Sequence, residues 1–467
     1  MTATASENEQ TNSESKELNL FRLTWPIFLE VLLFMLMGIA DTFMLSAVSD
    51  NAVSAVGASN QLIQIAILIL EVIGNGSSIV IAQYIGSKMY REAAKISALA
   101  VTLNFIVGLI ISIIFVIFGQ MLLQVLHLEG EILHFAKSYI HIVGGAIFLQ
   151  AIINSLSAII RTYGFTKQTM YVSLGMNIVH VALNYLLISG HLGFPALGVQ
   201  GAAISTIISR VLSLIVFFWL LYRVMEVRVE FKYYFNLSKE YIRKILGVGI
   251  PSAFEQITYQ TCQTIFVSYA TYLGAQAFAA RQYAANISMF TYLFSVAIGI
   301  GNAIIIGRLV GASRNDDAYK RAWKSLRWAQ AATLLMVAIV ILVRKPLLGI
   351  FTDDPEIIRL GAQVILLSIV LETGRTFNIV LINSLRASGD AKFPVYMGLI
   401  SMVGLSVPLG YLFVFHWNLG LPGIWLAIAA DEWTRAFIMF FRWRSRIWEK
   451  HALVPPKPTG ESAAVSS

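Results

Sequence analysis

Long apolar runs separated by short polar segments are the main pattern in this sequence. Most runs hold about 20 residues or more, the length that an α-helix needs to cross the hydrocarbon core of a bilayer. Because lipid offers no partner for backbone polar groups, closed helices are the expected structure of these runs. We therefore predict an all-α membrane protein with twelve transmembrane helices. The predicted spans lie near residues 20–47, 60–85, 94–121, 134–160, 168–189, 198–223, 244–271, 284–310, 322–343, 357–385, 393–415 and 423–443.

The second half of the chain repeats the first at a constant offset of 225 residues. Pro26 matches Pro251, and Glu30 matches Glu255. Pro, Gly, Arg and Lys in unbroken register indicate a duplication of six helices. An even number of helices per repeat makes the halves parallel, and such transporters bind substrate between the halves. The register is also kept by Gly74, Gly76, Gly86, Arg161 and Lys167, which match Gly299, Gly301, Gly311, Arg386 and Lys392.

The duplication predicts two homologous lobes. Residues 18–223 are expected to form an N-terminal lobe of six helices, and residues 244–448 a C-terminal lobe of six. Residues 224–243 join the lobes as a cytoplasmic linker, either an amphipathic surface helix or a plain solvated segment. The polar ends, residues 1–17 and 449–467, are expected to be disordered cytoplasmic tails.

Composition and charge agree with a membrane protein. The 467 residues are 57% hydrophobic and only 13% charged, far less charge than a soluble chain of this length carries. The net charge of +8 comes from Lys and Arg in short loops. Such loop charge sets helix orientation and indicates no nucleic-acid partner, and its distribution places both termini in the cytoplasm. Residues 1–17 lack the apolar core of a cleavable signal.

Two carboxylates, Glu30 and Asp41, lie inside the first predicted span. An ionised side chain there costs roughly 2.5 to 3.5 kcal/mol on insertion scales, so a functional reason is expected. Their spacing of eleven residues returns to nearly the same helix face, about 16 Å along the axis. Pro26 lies one turn before Glu30 and favours a bend. Acids beside a bendable helix suggest a transporter that takes up and releases cations.

Other polar side chains could complete such a site. Asn177, His180 and Asn184 share one face of the fifth span, and Gln64 and Glu71 share a face of the second. Amides and an imidazole facing Asp41 would tune its pKa, because desolvation raises it and hydrogen bonds to the charged form lower it. The alternative is that these polar groups only join helices by hydrogen bonds.

In the second half, Glu255 lies mid-span and has no obvious basic neighbour on its own helix. Glu372 and Arg375 stand at i, i+3 in the tenth span, and Asp431 and Arg435 at i, i+4 in the twelfth. Opposite charges at these spacings suggest structural ion pairs, to which we assign Arg375, Asp431 and Arg435.

No phosphate-binding loop, zinc-protease motif or Cys/His metal spacing occurs in the sequence. We therefore expect neither an enzyme nor a resident metal or cofactor, and only H⁺ or Na⁺ as a coupling ion.

Several segments carry a resemblance to a known family. WPIFLE, GIADTFMLS, GIPSAFEQ and NSLRASGDAKFPVYMG, together with the duplicated plan, resemble the multidrug and toxic compound extrusion (MATE) transporters. The resemblance covers nearly the whole chain. It implies a V-shaped pair of lobes related by a pseudo-two-fold axis, and efflux of organic, often cationic, compounds against an inward flow of H⁺ or Na⁺.

The resemblance also implies site residues. Asp41 falls where the family has its first-helix aspartate, and Asn154, His180, Asn184 and Ala202 occupy places that complete a cation site in archaeal and related members. Those members have Asn, Asp and Thr where this chain has His180, Asn184 and Ala202. Losing an acid and a hydroxyl weakens a Na⁺ site, because hard cations prefer oxygen ligands; His180 could instead share a proton with Asp41. Glu255 matches the seventh-helix glutamate of sodium-coupled members.

The resulting hypothesis is an antiporter of the cytoplasmic membrane that exports organic drugs or metabolites in exchange for H⁺, with Na⁺ as the alternative ion. Rival functions are a flippase for a lipid-linked oligosaccharide and an exporter of flavin-like metabolites. The expected partners are a small-molecule substrate and the lipid bilayer, and the expected state is a monomer. The ion-coupling candidates are Asp41, Glu255, His180, Asn184 and Asn177, and the substrate-cavity candidates are Glu30, Gln64, Glu71, Asn154 and Glu372.

Overall fold

The computed structural model describes residues 19–223 and 229–455, which form helices joined by short turns. We number the α-helices α1 to α15 in chain order. The first half contains α1 (Leu20–Ser46), α2 (Asp50–Gly86), α3 (Tyr90–Val125), α4 (Gly130–Tyr139), α5 (Ile147–Thr162), α6 (Thr166–Leu187) and α7 (Gly198–Arg223). The second half contains α8 (Lys239–Tyr272), α9 (Ala275–Gly311), α10 (Asn315–Leu342), α11 (Arg344–Gly349), α12 (Pro355–Ala387), α13 (Lys392–Ser401), α14 (Val407–Tyr411) and α15 (Leu421–Arg444).

Two of the predicted spans are irregular. A π-helical turn at Ile140–Gly144 follows α4, and the segment then bends by 47° into α5. α13 and α14 are extended by π-helical turns at Met402–Ser406 and Leu412–His416. Pro408 follows the first of these turns. Its missing N–H explains why the regular hydrogen-bond ladder is interrupted there.

Within the described ranges, nine helical segments are long and apolar enough to cross a membrane, and the bent α4–α5 segment makes a tenth. The other two predicted spans, α8 and α15, form helices of 34 and 24 residues but are less apolar. α15 carries Asp431, Glu432 and Arg435 in its middle. The structure therefore contains a helix at each of the twelve predicted spans, ten of which have the composition of a typical membrane span.

Glycines bring the two lobes into close contact at one end. Gly86 of α2 lies against the backbone carbonyl of Arg308 in α9, and Gly311 of α9 lies against that of Gln83 in α2. A Cβ atom at either glycine would clash with the facing backbone. Both pairs, 86 with 311 and 83 with 308, are related by the repeat offset. The repeated glycines therefore build a symmetric contact between the lobes.

Towards the other end of the same helices, apolar side chains are exposed. Ile39 of α1, Ile65 of α2 and Ile257 of α8 are all exposed there although they are apolar. Nearer the closed end, Phe28 of α1 packs against Phe294 of α9 with ring centroids 5.4 Å apart. The result is a two-lobed molecule whose lobes are in close contact where the chain turns after α2 and α9, and we infer from the exposed side chains a cleft between the lobes that opens at the opposite end.

The linker and the C-terminal segment contain short turns where the structure describes them. In the linker, residues 229–243 hold a short 3₁₀ turn, Phe231–Phe235, and the start of α8 rather than a surface helix. In the tail, which was expected to be disordered from residue 449, Ile447–His451 forms a 3₁₀ turn. Residues 1–17, 224–228 and 456–467 of the predicted tails and linker lie outside the described residues.

The segment after α15 is held because its apolar side chains find partners. Trp448 is fully buried and stacks on Trp443 with ring centroids 4.3 Å apart. Leu453 donates its backbone N–H to Gln83 Oε1 at 2.7 Å. Val454 packs into the core of the N-terminal lobe. The segment after α15 thus crosses from one lobe to the other at the closed end of the cleft.

Candidate functional site

Asp41 lies in the last two turns of α1 and contacts α6. Its Oδ1 is 2.7 Å from His180 Nε2, and it accepts a hydrogen bond from Asn184 Nδ2 at 2.7 Å. The i, i+4 spacing of His180 and Asn184 places both on one face of α6. Three of the five predicted ion-coupling residues therefore meet at one carboxylate oxygen.

The Asp41 carboxylate and the His180 imidazole differ in their exposure to solvent. The His180 side chain is 2% exposed, whereas that of Asp41 is 20% exposed. On the far side of the imidazole, Ser209 Oγ of α7 lies 3.4 Å from Nδ1. Among the described residues no lysine or arginine comes within ion-pair distance of Asp41. The carboxylate is thus partly open to water, while its histidine partner is shielded.

Two side chains near this site were not found from the sequence. Arg210 of α7 is close enough to Asp41 and Tyr139 to interact electrostatically with both. Its Nη1 is buried and has no hydrogen-bond partner among the described residues, and the same holds for Asn184 Oδ1. An arginine in the middle of the predicted sixth span was the available signal for Arg210. The site therefore holds one unused donor and one unused acceptor beside the Asp41 carboxylate.

The other predicted residues of the N-terminal lobe do not join Asp41. Asn177 donates to the backbone oxygen of Ser173, on its own helix, at 2.7 Å. Asn154 accepts a hydrogen bond from Gln150 at 2.7 Å. Gln64 and Glu71 are exposed and remain seven residues apart on one face of α2.

Glu30 is not a free acid, contrary to its expected place in the substrate cavity. Arg161 of α5 binds Glu30 Oε1 at 3.0 Å, and Ser157 donates to the same oxygen at 3.0 Å. Thr169 of α6 donates to Oε2 at 3.2 Å. These contacts tie α1 to α5 and α6, and they neutralise the charge of Glu30 in place.

Glu255 has the equivalent partner in the second lobe. Arg386 Nη2 of α12 lies 2.7 Å from Glu255 Oε2. Because Glu30 and Arg161 match Glu255 and Arg386 at the repeat offset, the two ion pairs are copies of one contact. The missed signal was that the repeat preserves both members of each pair.

A third set of charges lies inside the C-terminal lobe. Arg375 binds both oxygens of Glu372, at 2.9 and 3.0 Å, and its Nε lies 3.4 Å from Glu432 Oε1. Arg435 binds Asp431 at 2.7 Å and Glu432 at 3.1 Å. Glu372 therefore belongs to this network and not to an open cavity, and its side chain is 0% exposed.

Further contacts complete the network. Asn378 donates to Glu432 Oε2 at 2.8 Å, and Ser401 donates to Asp431 Oδ1 at 2.6 Å. The Arg375 guanidinium lies over the ring of Tyr292, 4.7 Å from its centroid. The network contains three carboxylates and two guanidinium groups, and most of their polar atoms bind one another. Removing one partner of such a buried pair is strongly destabilising.

A family model, MatE, matches residues 26–186 and 251–412, one segment in each lobe. The chain belongs to the MATE family. Its members are transporters, and they use ion gradients rather than cofactors. The chain is thus a multi-pass membrane protein of a multidrug efflux family.

Two curated relatives cover nearly the same length as this MATE protein. One is the uncharacterized transporter YisQ of Bacillus subtilis, 45% identical over 93% of this chain and 95% of its own length. Another is a probable multidrug resistance protein NorM of Thermotoga maritima, 28% identical over 93% of this chain and 94% of its own length. Among solved structures, a MATE protein in a bent conformation superposes with a TM-score of 0.86 at 22% identity, over 93% of this chain and 99% of that one. This last likeness supports the two-lobed fold.

Proposed function

We propose that this protein exports organic cations from the cell in exchange for protons, and that Asp41 and His180 form the coupling site. The observation that carries the proposal is the 2.7 Å contact between a partly exposed carboxylate and a buried imidazole. Histidine changes charge near neutral pH, and an adjacent carboxylate moves that change. A carboxylate and an imidazole in hydrogen-bond contact can share one proton between them, which is the chemistry that proton coupling requires.

Charge explains how protons and substrate would compete. With a neutral imidazole, the pair carries one negative charge, which the nearby Arg210 offsets only in part because it forms no ion pair with Asp41, and the pair attracts a cation. After it takes up one proton, the pair is neutral overall and the attraction is lost. The groups bound to Asp41 Oδ1 are an imidazole nitrogen and an amide N–H. Hard cations such as Na⁺ require several oxygen ligands, so these groups favour H⁺ over Na⁺.

The cleft suits a lipophilic cation. Apolar side chains such as Ile39 and Ile65 are exposed there, and Glu71 adds a carboxylate on α2. Relatives bear names of multidrug resistance proteins. We place the protein in the cytoplasmic membrane as a monomer with both termini inside, so that the open end of the cleft faces outward.

A flippase for lipid-linked oligosaccharides would need free arginines to bind a diphosphate. Four of the arginines inside the lobes, Arg161, Arg375, Arg386 and Arg435, each bind a carboxylate instead. Of the others, Arg210 lies close to Asp41 and Arg281 binds Gln263. This arrangement favours the exporter.

The test is transport of a fluorescent organic cation in proteoliposomes under separate H⁺ and Na⁺ gradients. A proton gradient should drive uptake by the unmodified protein, and Asp41→Asn should reduce uptake to the level of protein-free vesicles. Asp50→Asn, which makes the same change at an exposed carboxylate in the first turn of α2, serves as the control and should transport like the unmodified protein. If the Asp41→Asn variant takes up the cation as fast as the unmodified protein under a proton gradient, Asp41 has no role in the mechanism.

A further inference from the structure

A groove of about 400 Å³ lies between α6 and α7 on the surface of the N-terminal lobe. Val172, Gly175 and Val179 line it on α6, and Leu212 and Val216 line it on α7. Most of its wall is apolar, and several of its side chains are exposed. A groove of this kind on a membrane-spanning helix pair faces hydrocarbon rather than water.

The length of the groove matches one leaflet of a bilayer. It runs along α6 from Gln168 to Val179 and along α7 from Ser209 to Leu220. Eleven residues of helix span about 16 Å, which is close to half of the roughly 30 Å hydrocarbon core. The groove therefore has the length of a lipid acyl chain in one leaflet.

Positive charge lies at one end of this groove. Lys167 is in the first turn of α6, next to Gln168, and Arg223 ends α7 one turn beyond Trp219. Both basic side chains are exposed, and neither pairs with an acid in the described part of the chain. The rings of Tyr171 and Trp219 lie at the same end. Aromatic rings at the interface and basic residues between helices are the features that hold anionic lipid headgroups.

We propose that this groove binds one acyl chain of an anionic phospholipid, whose headgroup contacts Lys167 and Arg223. The deep end of the groove reaches Ser209, whose hydroxyl lies 3.4 Å from His180 Nδ1. The bound chain therefore covers the buried side of the Asp41–His180 pair and keeps it out of contact with the rest of the bilayer. With both termini inside, the lipid belongs to the cytoplasmic leaflet.

Native mass spectrometry of the purified full chain with phosphatidylglycerol or phosphatidylcholine of identical acyl chains tests the headgroup contact. The unmodified protein should retain phosphatidylglycerol preferentially. Each basic side chain near an anionic surface contributes binding free energy. The double variant Lys167→Gln/Arg223→Gln should therefore lose roughly 30-fold in affinity for phosphatidylglycerol. Its affinity for phosphatidylcholine should stay unchanged. Equal retention of both lipids by the unmodified protein would overturn the proposal.

Filling the groove tests the acyl-chain contact. A Cβ atom at Gly175 would meet no other atom within 4 Å, so Gly175→Leu occupies the groove without a clash with the backbone. It should reduce binding of both lipids. Gly404 of the second lobe is also exposed and has equal space around it, so Gly404→Leu is the matched control and should bind lipid normally. Undiminished lipid binding by Gly175→Leu, or equal loss in the control, would contradict the assignment.

Discussion

Gln83 and Arg308 occupy equivalent positions in the two repeats and make equivalent contacts across the closed end of the cleft. Gln83 Nε2 donates to the backbone oxygen of Ala387 at 2.7 Å, and Arg308 Nη2 donates to that of Thr162 at 2.5 Å. Ala387 and Thr162 are themselves related by the repeat offset. Each lobe therefore reaches into the other with one long polar side chain, and both contacts must break before the cleft can open at this end.

Replacing Gln83 should loosen this closure. Gln83→Leu keeps the volume but leaves the oxygen of Ala387 and the N–H of Leu453 without their partner, and an unpaired buried polar group costs about 1–3 kcal/mol. The measurement is maleimide labelling of a cysteine at Val248, a buried position near this contact, in a Cys262→Ser background. Labelling should be faster with Gln83→Leu, while Gln150→Leu, within the N-terminal lobe, should leave it unchanged. Equal labelling rates in all three proteins would count against Gln83 as a closing residue.

The symmetric glycines predict a position-specific effect on stability. A Cβ at Gly86 would clash with the backbone carbonyl of Arg308, whereas a Cβ at Gly57 of the same helix meets nothing within 4 Å. Gly86→Ala should lower the free energy of unfolding by about 1–3 kcal/mol, as overpacking does. Gly57→Ala should be neutral or slightly stabilising, because alanine favours helix. Thermal unfolding in detergent compares the two, and equal melting temperatures would contradict the close contact.

The copied ion pairs predict a structural role for Glu255. Glu255→Gln leaves the partly buried Arg386 without its counter-charge, which costs at most about 3–5 kcal/mol, the value for a fully buried pair. The double variant Glu255→Gln/Arg386→Gln should recover part of this loss, since no unpaired charge remains. Melting temperatures of the single and double variants measure the coupling. If Glu255 instead exchanges protons during transport, the double variant would regain stability but lose proton-driven uptake. Melting temperature and proton-driven uptake are therefore measured on the same variants.

The buried Trp448, just after α15, gives a fourth prediction. Trp448 is fully buried, and removing a buried aromatic ring typically costs about 3–5 kcal/mol. Trp448→Ala should therefore lower the melting temperature clearly. Trp417→Ala, at a position that is 57% exposed, is the matched control and should have a much smaller effect. A disordered tail would make the two variants indistinguishable.

The helical plan and the repeat could be predicted because both depend on local patterns: apolar runs set the spans, and the offset of 225 residues aligns the lobes. Partners across helices could not be predicted in the same way. Glu30 and Arg161 are 131 residues apart, and neither has an opposite charge nearby on its own helix. By contrast, Asp431 and Arg435 were predicted to pair because they lie about one helical turn apart, and Arg375 was predicted to be in an ion pair, although its partner Glu372 was assigned to the substrate cavity.

At the Asp41 site, too, local features could be predicted and contacts between helices could not. The face shared by His180 and Asn184 follows from helical spacing, but the direction of that face depends on how α6 packs against α1. Asn177 lies near the same face and still bonds to its own backbone. The contacts of the segment after residue 449 were missed because its partners are distant in the sequence: Leu453 binds Gln83, and Val454 packs into the core of the N-terminal lobe.

The most direct test of the Asp41–His180 site is proton release on substrate binding, measured in weakly buffered detergent solution with a pH indicator. Adding tetraphenylphosphonium, a lipophilic organic cation, to the unmodified protein should release protons, because the cation displaces the proton held by this pair. Asp41→Asn should release none, and Glu255→Gln should release as much as the unmodified protein. Undiminished release from Asp41→Asn, or release of bound ²²Na⁺ in place of protons from the unmodified protein, would contradict proton coupling at Asp41.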